Sequence, residues 1–276
     1  MSPLGLFAHE ELVLALRSRW TQIFAAVFGV LAVAVAGAGY VLSGGHGVQD
    51  FARTAVSLVQ LVLLLVPLTA LVIGVLSLAP DRGAAELVFS QPVSRGTILF
   101  GKLLGLFLAL GAAQAVGFGA AGAVVYARSG GDGLGGFLLV VGASLVTTAV
   151  FLGLAALLAA GSVGRKRTRA LAMALVVWFV AVVFLDLLAL GAASLLPSGT
   201  ASRVLMVSAI ANPLAAVRTG ALLAIEGTGA FGAASLALFR FTGGPQGAGA
   251  VLGMSLAFWL VAPACLALRR LRRADL

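Results

Sequence analysis

The chain has few charged residues and few residues that bind metals or form disulfides. Lys, Arg, Asp and Glu make up only 10% of its 276 residues, whereas a soluble globular protein carries roughly 25%. This scarcity excludes a protein whose whole surface faces water. The single cysteine, Cys265, excludes an internal disulfide and any zinc site built from cysteines. His9 and His46, the only histidines, and the scattered methionines form no cluster of soft metal ligands, so we expect no metal site.

Common enzyme signatures are also missing. The sequence contains neither H-E-x-x-H nor G-x-S-x-G. Asp186 is the only acid near the middle of an apolar run, whereas an intramembrane aspartyl protease needs two. We therefore expect a protein that is not itself an enzyme and holds no cofactor.

Long apolar runs make up most of the chain. The chain is 61% hydrophobic with a mean hydropathy of +1.14. About 20 apolar residues cross a bilayer core, and helices satisfy their own backbone groups there. These properties predict an all-α integral membrane protein, with the lipid bilayer as its first partner. Six spans are expected, at about 21–42, 54–79, 99–127, 134–163, 170–196 and 248–268.

The positive charges favour one orientation. With both termini in the cytoplasm, 13 Lys and Arg residues lie inside and five lie outside, which agrees with the positive-inside rule. The net charge of +9 then reflects topology and the anionic inner leaflet, so no nucleic-acid partner is needed. We expect a multi-pass protein of the bacterial inner membrane.

The region between spans five and six is open to two interpretations. Residues 204–225 are long enough to cross the membrane, but Asn212, Pro213 and Arg218 interrupt them. A seventh span would also place the basic C-terminus outside, against the charge rule. The favoured prediction is a set of helices at the outer face, forming a lid over about 197–247, with a seventh span as the alternative.

A short stretch imitates a nucleotide-binding loop. Gly96, Gly101 and Lys102 fit G-x-x-x-x-G-K, but Leu103 stands where Ser or Thr binds magnesium. The stretch enters an apolar run instead of following a strand. We expect Lys102 to extend towards the headgroups, and Gly101 and Gly105 to allow close helix packing.

The polar segment before this stretch carries a resemblance. Gly83 and Glu86 precede a Pro-Val-Ser-Arg turn at 92–95, and Lys102 enters span three. This pattern resembles the ABC-2 family of ABC transporter permeases. The N-terminal segment, about 5–20, looks like the amphipathic elbow helix of that family. The likeness extends over the whole chain, but its specific motif lies in 83–102.

The resemblance implies a mechanism and partners. Two copies of the chain would assemble with two cytoplasmic ATPase subunits, which would hold ATP and Mg²⁺. The coupling segment, 80–98, would meet the ATPases and move spans one to three against the rest. An ordinary solvated loop is the alternative for this segment. The interface residues that the resemblance implies are Asp81, Arg82, Glu86, Gln91, Pro92, Ser94 and Arg95.

The cargo is less well specified. The Gly- and Ala-rich spans and basic C-terminus look most like the permeases that support maturation of the copper enzyme nitrous oxide reductase, which implies a periplasmic accessory subunit. Exporters of drugs, lipids or polysaccharides share the motifs, and a stand-alone secondary transporter is a further alternative. Asp186, Gln60 and Gln114 are the intramembrane polar candidates. Asp186 has either a structural role in joining helices or a role in gating or the transport pathway.

Overall fold

A computed structural model describes residues 2–42, 47–79, 93–129, 131, 134–161, 167–227 and 233–273. Every regular element in these ranges is helical. The helices are α1 (Pro3–Arg17), α2 (Arg19–Leu42), α3 (Gly47–Leu78), α4 (Arg95–Ser129), α5 (Leu134–Ala160), α6 (Arg167–Phe179), α7 (Leu185–Ser194), α8 (Ser198–Ala211), α9 (Pro213–Glu226), α10 (Ala233–Thr242) and α11 (Pro245–Arg273). A π-helical turn, Val180–Phe184, joins α6 to α7.

Six helical stretches of the described chain are long and apolar enough to cross a membrane. They are α2, α3, α4, α5, the continuous α6–α7 stretch, and α11. This finding confirms the predicted all-helical membrane protein with six spans. The pair α8 and α9 also has the required composition but is bent by 103° between Ala211 and Pro213. Length and composition allow this pair to be a broken seventh span or a re-entrant segment.

Helix α9 lies within the bundle. Its residues from Pro213 to Leu222 are mostly buried, and it packs against α3, α5, α8 and α11. The predicted lid region therefore contains a helix that is surrounded by spans, together with α8 and α10.

Small residues let the spans approach closely. A Cβ atom built on Gly74 of α3 would lie 2.6 Å from the Cβ atom of Ala155 in α5. A Cβ atom on Gly117 of α4 would lie 2.6 Å from a ring carbon of Phe28 in α2. Backbones at this separation gain the van der Waals contacts that drive association in lipid, where burial of apolar surface gives little advantage.

The first helix packs along α4 through two glycines. A Cβ atom on Gly101 would lie 2.7 Å from the Cβ atom of Phe7, and one on Gly105 would lie 2.5 Å from the carbonyl oxygen of Ala8. The prediction that Gly101 and Gly105 allow close packing is confirmed. Since α4 is helical from Arg95 onwards, the G-x-x-x-x-G-K match lies inside a helix and forms no phosphate-binding loop.

Replacing Gly105 with alanine is expected to displace α1 from α4. The added methyl group meets the Ala8 carbonyl and the Leu12 backbone nitrogen, which cannot rotate away. We expect the free energy of unfolding in detergent to fall by about 1–3 kcal/mol, the usual effect of overpacking. The matched control is Gly119→Ala on the same helix, where no atom lies within 4 Å of the new Cβ position. Equal unfolding free energies for the two variants would contradict the close packing of α1.

Candidate functional site

Most of the predicted coupling segment lies outside the described residues. Asp81, Arg82, Glu86, Gln91 and Pro92 all fall within 80–92, which the structure does not describe. Their proposed contact with an ATPase therefore stays a prediction. The described part of the segment starts at Val93, just before α4.

The last two candidates of the segment anchor the beginning of α4. Ser94 acts as the N-cap, because its Oγ accepts a hydrogen bond from the Thr97 backbone N–H at 3.1 Å. The Arg95 guanidinium donates to the carbonyl oxygen of Leu271 in α11 at 2.5 Å. The segment thus continues directly into a helix that is attached to the C-terminal span.

A buried acid connects α1 to the same end of α4. Glu11 is only 5% exposed, and its Oε2 lies 3.2 Å from Nζ of Lys102. Its other carboxylate oxygen accepts a hydrogen bond from the Ser77 hydroxyl of α3. The prediction for Lys102 did not include this ion pair, and its extension towards the headgroups stays a prediction. Pairing with Lys102 neutralises a carboxylate that would otherwise be buried alone.

The intramembrane acid has a basic partner. Oδ2 of Asp186 in α7 lies 2.6 Å from a terminal guanidinium nitrogen of Arg218 in α9. The two side chains are 24% and 32% exposed, respectively. A charge within the membrane is unfavourable unless it is paired. The ion pair therefore explains how both charged side chains are accommodated in apolar segments.

The Asp186–Arg218 pair faces a cavity of about 250 Å³. The remaining walls come from α7, α8, α9 and α10 and are mainly apolar, with Leu190, Met206 and Leu238 among them. The cavity therefore combines one ion pair with a non-polar lining. Such an arrangement can orient a small molecule, and its ion pair can also rearrange if α7 moves.

Asn212 and two side chains of α11 fix the bend between α8 and α9. Asn212 caps α9 by accepting a hydrogen bond from the Leu214 N–H at 3.1 Å. Its amide also donates to the carbonyl oxygen of Ala181, in the π-helical turn, at 2.8 Å. The last carbonyl groups of α8, at Ile210 and Ala211, accept hydrogen bonds from Ser255 and Trp259 of α11. Backbone groups freed by the break are thus satisfied inside the protein, as the bilayer requires.

The other two polar candidates do not join this site. Gln114 is buried between α4 and α5, where it donates to Thr148 Oγ1 at 2.7 Å and accepts a hydrogen bond from the Ser144 hydroxyl. These hydrogen bonds link α4 to α5, and Gln114 does not line the cavity beside Asp186. Gln60 is exposed on α3.

Sequence reasoning missed the basic partner of Asp186 and the buried role of Glu11. Arg218 is the only charged residue between Arg203 and Glu226, and Asp186 is the only one between Arg169 and Arg203. Two lone charges of opposite sign in neighbouring apolar segments are a signal for a pair. Glu11, in contrast, looks like any charged residue of an amphipathic helix.

Metal-binding groups are not evident in the part of the chain that the structure describes. No three His, Cys, Asp or Glu side chains come together there. The described polar groups instead join helices to one another.

Comparison with known proteins decides the family. Residues 7–276 match the sequence model for "ABC-2 family transporter protein". The chain belongs to the ABC-2 transporter family. This ABC-2 permease is 32% identical over 272 residues, 96% of each chain, to the "Probable ABC transporter permease protein NosY" of Pseudomonas aeruginosa. It is also 32% identical over 243 residues to the protein of the same name from Stutzerimonas stutzeri, with 86% of this chain and 87% of the relative covered.

Family membership places the described contacts in a multi-pass membrane permease. In this ABC-2 permease, α4 follows directly on the segment in which the family motif lies, and its first turns are bonded to α1 and α11. The Asp186–Arg218 pair lies elsewhere in the bundle, between α7 and α9.

Proposed function

We propose that this ABC-2 permease is the membrane subunit of an ATP-driven transporter whose ATP hydrolysis takes place on separate cytoplasmic ATPase subunits. Two permeases and two ATPases form the assembly in the bacterial inner membrane, with both permease termini in the cytoplasm. The family match supports the general assembly, and the 13-to-5 distribution of Lys and Arg supports the orientation.

The observation that carries the proposal is the attachment of the first turns of α4. Helix α3 ends at Leu78 and α4 begins at Arg95, so the coupling segment is tied to two spans. The ion pair of Lys102 with Glu11 and the hydrogen bond of Arg95 to Leu271 connect α4 to α1 and α11. A force on the segment is therefore passed to several helices together.

The charged residues of the segment suit a contact with another cytoplasmic protein. Glu86 and Arg95 bring opposite charges to one short region. Charges at such an interface determine orientation and choice of partner more than affinity. Because Arg95 is also bonded to Leu271, Glu86 is the cleaner position for testing the contact.

The assembly we propose serves maturation of the copper site of nitrous oxide reductase and includes a periplasmic accessory subunit. The identity to two proteins named NosY, which covers most of each chain, supports this assignment. In this scheme the permease passes either a sulfur-containing cargo or a conformational signal, and the accessory subunit delivers copper.

Co-purification tests the proposed assembly. The tagged chain, extracted from its native membrane in mild detergent, is expected to retain an ABC ATPase in a one-to-one ratio, as measured by quantitative mass spectrometry. A deletion of the periplasmic partner should leave this ratio unchanged. A chain that purifies without any ATPase and drives uptake from an ion gradient would contradict the proposal and favour a secondary transporter.

A further inference from the structure

A second cavity, of about 440 Å³, lies beneath α1. Helices α1, α3 and α4, Trp20 at the beginning of α2 and the first residue of α6 surround it. Its polar wall contains Glu11, Ser77, Lys102 and Arg167. The volume falls within the range of about 300–1,000 Å³ that is typical of sites for small molecules.

The positive charge of this cavity is only partly compensated. Glu11 is paired with Lys102 at 3.2 Å. Arg167 donates one hydrogen bond, to the carbonyl oxygen of Leu76, and no carboxylate of the described residues lies within 4 Å of its guanidinium. The described lining residues therefore carry one more positive charge than negative charge, on Arg167.

One donor of that guanidinium is also unsatisfied. Nε of Arg167 is buried and has no hydrogen-bond partner among the described residues. A buried donor without an acceptor is unfavourable. A planar guanidinium matches phosphate and carboxylate groups, so the uncompensated charge of Arg167 in the cavity wall indicates an anionic oxygen ligand.

The remaining wall indicates a lipid as the source of that anion. Leu14, Trp20 and Ile73 line the apolar side of the cavity. From Trp20 an exposed apolar stripe continues along α2 through Ile23, Val27 and Val30. Tryptophan favours the level of the headgroups, and the stripe offers a path for acyl chains.

We propose that this cavity binds the headgroup of an anionic phospholipid. The phosphate accepts hydrogen bonds from Arg167, with Lys102 nearby, and the acyl chains lie along the stripe of α2. The binding of the lipid joins α1 to α3 and α6. Under the orientation proposed above, the lipid belongs to the inner leaflet, which carries anionic lipids. The site itself requires no ATPase.

Native mass spectrometry of the purified full chain in detergent tests the site. We expect dioleoyl phosphatidylglycerol to remain bound, and dioleoyl phosphatidylcholine to bind about tenfold more weakly or less. Inorganic phosphate should not displace the phosphatidylglycerol. Arg167→Gln should weaken phosphatidylglycerol binding about tenfold or more, since it removes charged hydrogen bonds.

The matched control is Arg169→Gln, which removes the same charge from an exposed position one half-turn away on α6. Its affinity should stay within about twofold of the wild type, an ordinary effect for an exposed charge. Arg167→Lys, which keeps the charge, should retain part of the binding even if the Gln variant is poorly folded. Equal losses for the two Gln variants, equal binding of the two lipids, or displacement by inorganic phosphate would overturn the proposal. Because the assay uses the chain alone, its result is independent of the proposed assembly.

Discussion

Replacing Asp186 with leucine is expected to reduce the free energy of unfolding by about 2.5–3.5 kcal/mol, the cost of a lone charge near the centre of a membrane helix. The reason is that Arg218, now 2.6 Å from the carboxylate, would remain in an apolar cavity without a counter-charge. Equilibrium unfolding in mixed SDS micelles measures the loss. We expect transport activity to fall at least in parallel.

The double variant Asp186→Leu with Arg218→Leu is the decisive control. It removes both charges, so most of the lost stability should return. Met206→Leu, a neutral change in the same cavity, should have little effect. Equal destabilisation by the single and double variants would show that the ion pair does not account for the effect.

Asp186→Asn separates charge from hydrogen bonding. The amide can still accept a hydrogen bond from Arg218, but it no longer neutralises the guanidinium. Stability close to that of the wild type combined with lost activity would assign the charge to gating or to the transport pathway. Full activity would leave Asp186 with a structural role only.

Reversing the charge of Glu86 should have the second large effect. In the proposed assembly this acid contacts the ATPase, so Glu86→Lys replaces an attraction by a like-charge contact. Like charges that face each other at an interface cost several kcal/mol, which corresponds to a loss of affinity of at least about a hundredfold. The measurement is the amount of ATPase that co-purifies with the tagged permease.

Glu10→Lys provides the matched control, because it makes the same charge change at an exposed position of α1. It should leave the amount of bound ATPase unchanged. Membrane insertion of both variants should equal that of the wild type. If Glu86→Lys retains the ATPase and the activity, the coupling assignment is wrong.

The membrane character and the helical fold were accessible from the sequence because they follow from composition. Long apolar runs with few charges are stable only in lipid. Because lipid offers no hydrogen-bond partners, the backbone of these runs must be helical. The close helix packing at Gly101 and Gly105 could also be predicted, since their spacing places both on one face of α4.

The individual polar partners were not accessible in the same way. The ion pair of Lys102 could not be predicted because nothing in its local sequence reveals that Glu11, ninety-one positions earlier, lies beside it. The contact depends on how closely α1 approaches α4. Likewise, the hydrogen bond from Asn212 to Ala181 depends on a π-helical turn that opens one backbone carbonyl. Such contacts follow from tertiary packing and leave little trace in local patterns.

Hydrolysis of ATP by the purified chain tests the central claim most directly. In proteoliposomes containing Mg²⁺ and ATP, the permease alone is expected to release no phosphate above the level of empty vesicles. The same vesicles should release phosphate when the ATPase that co-purifies with the permease is added. Hydrolysis by the isolated chain would contradict the account of a membrane subunit that is driven from outside.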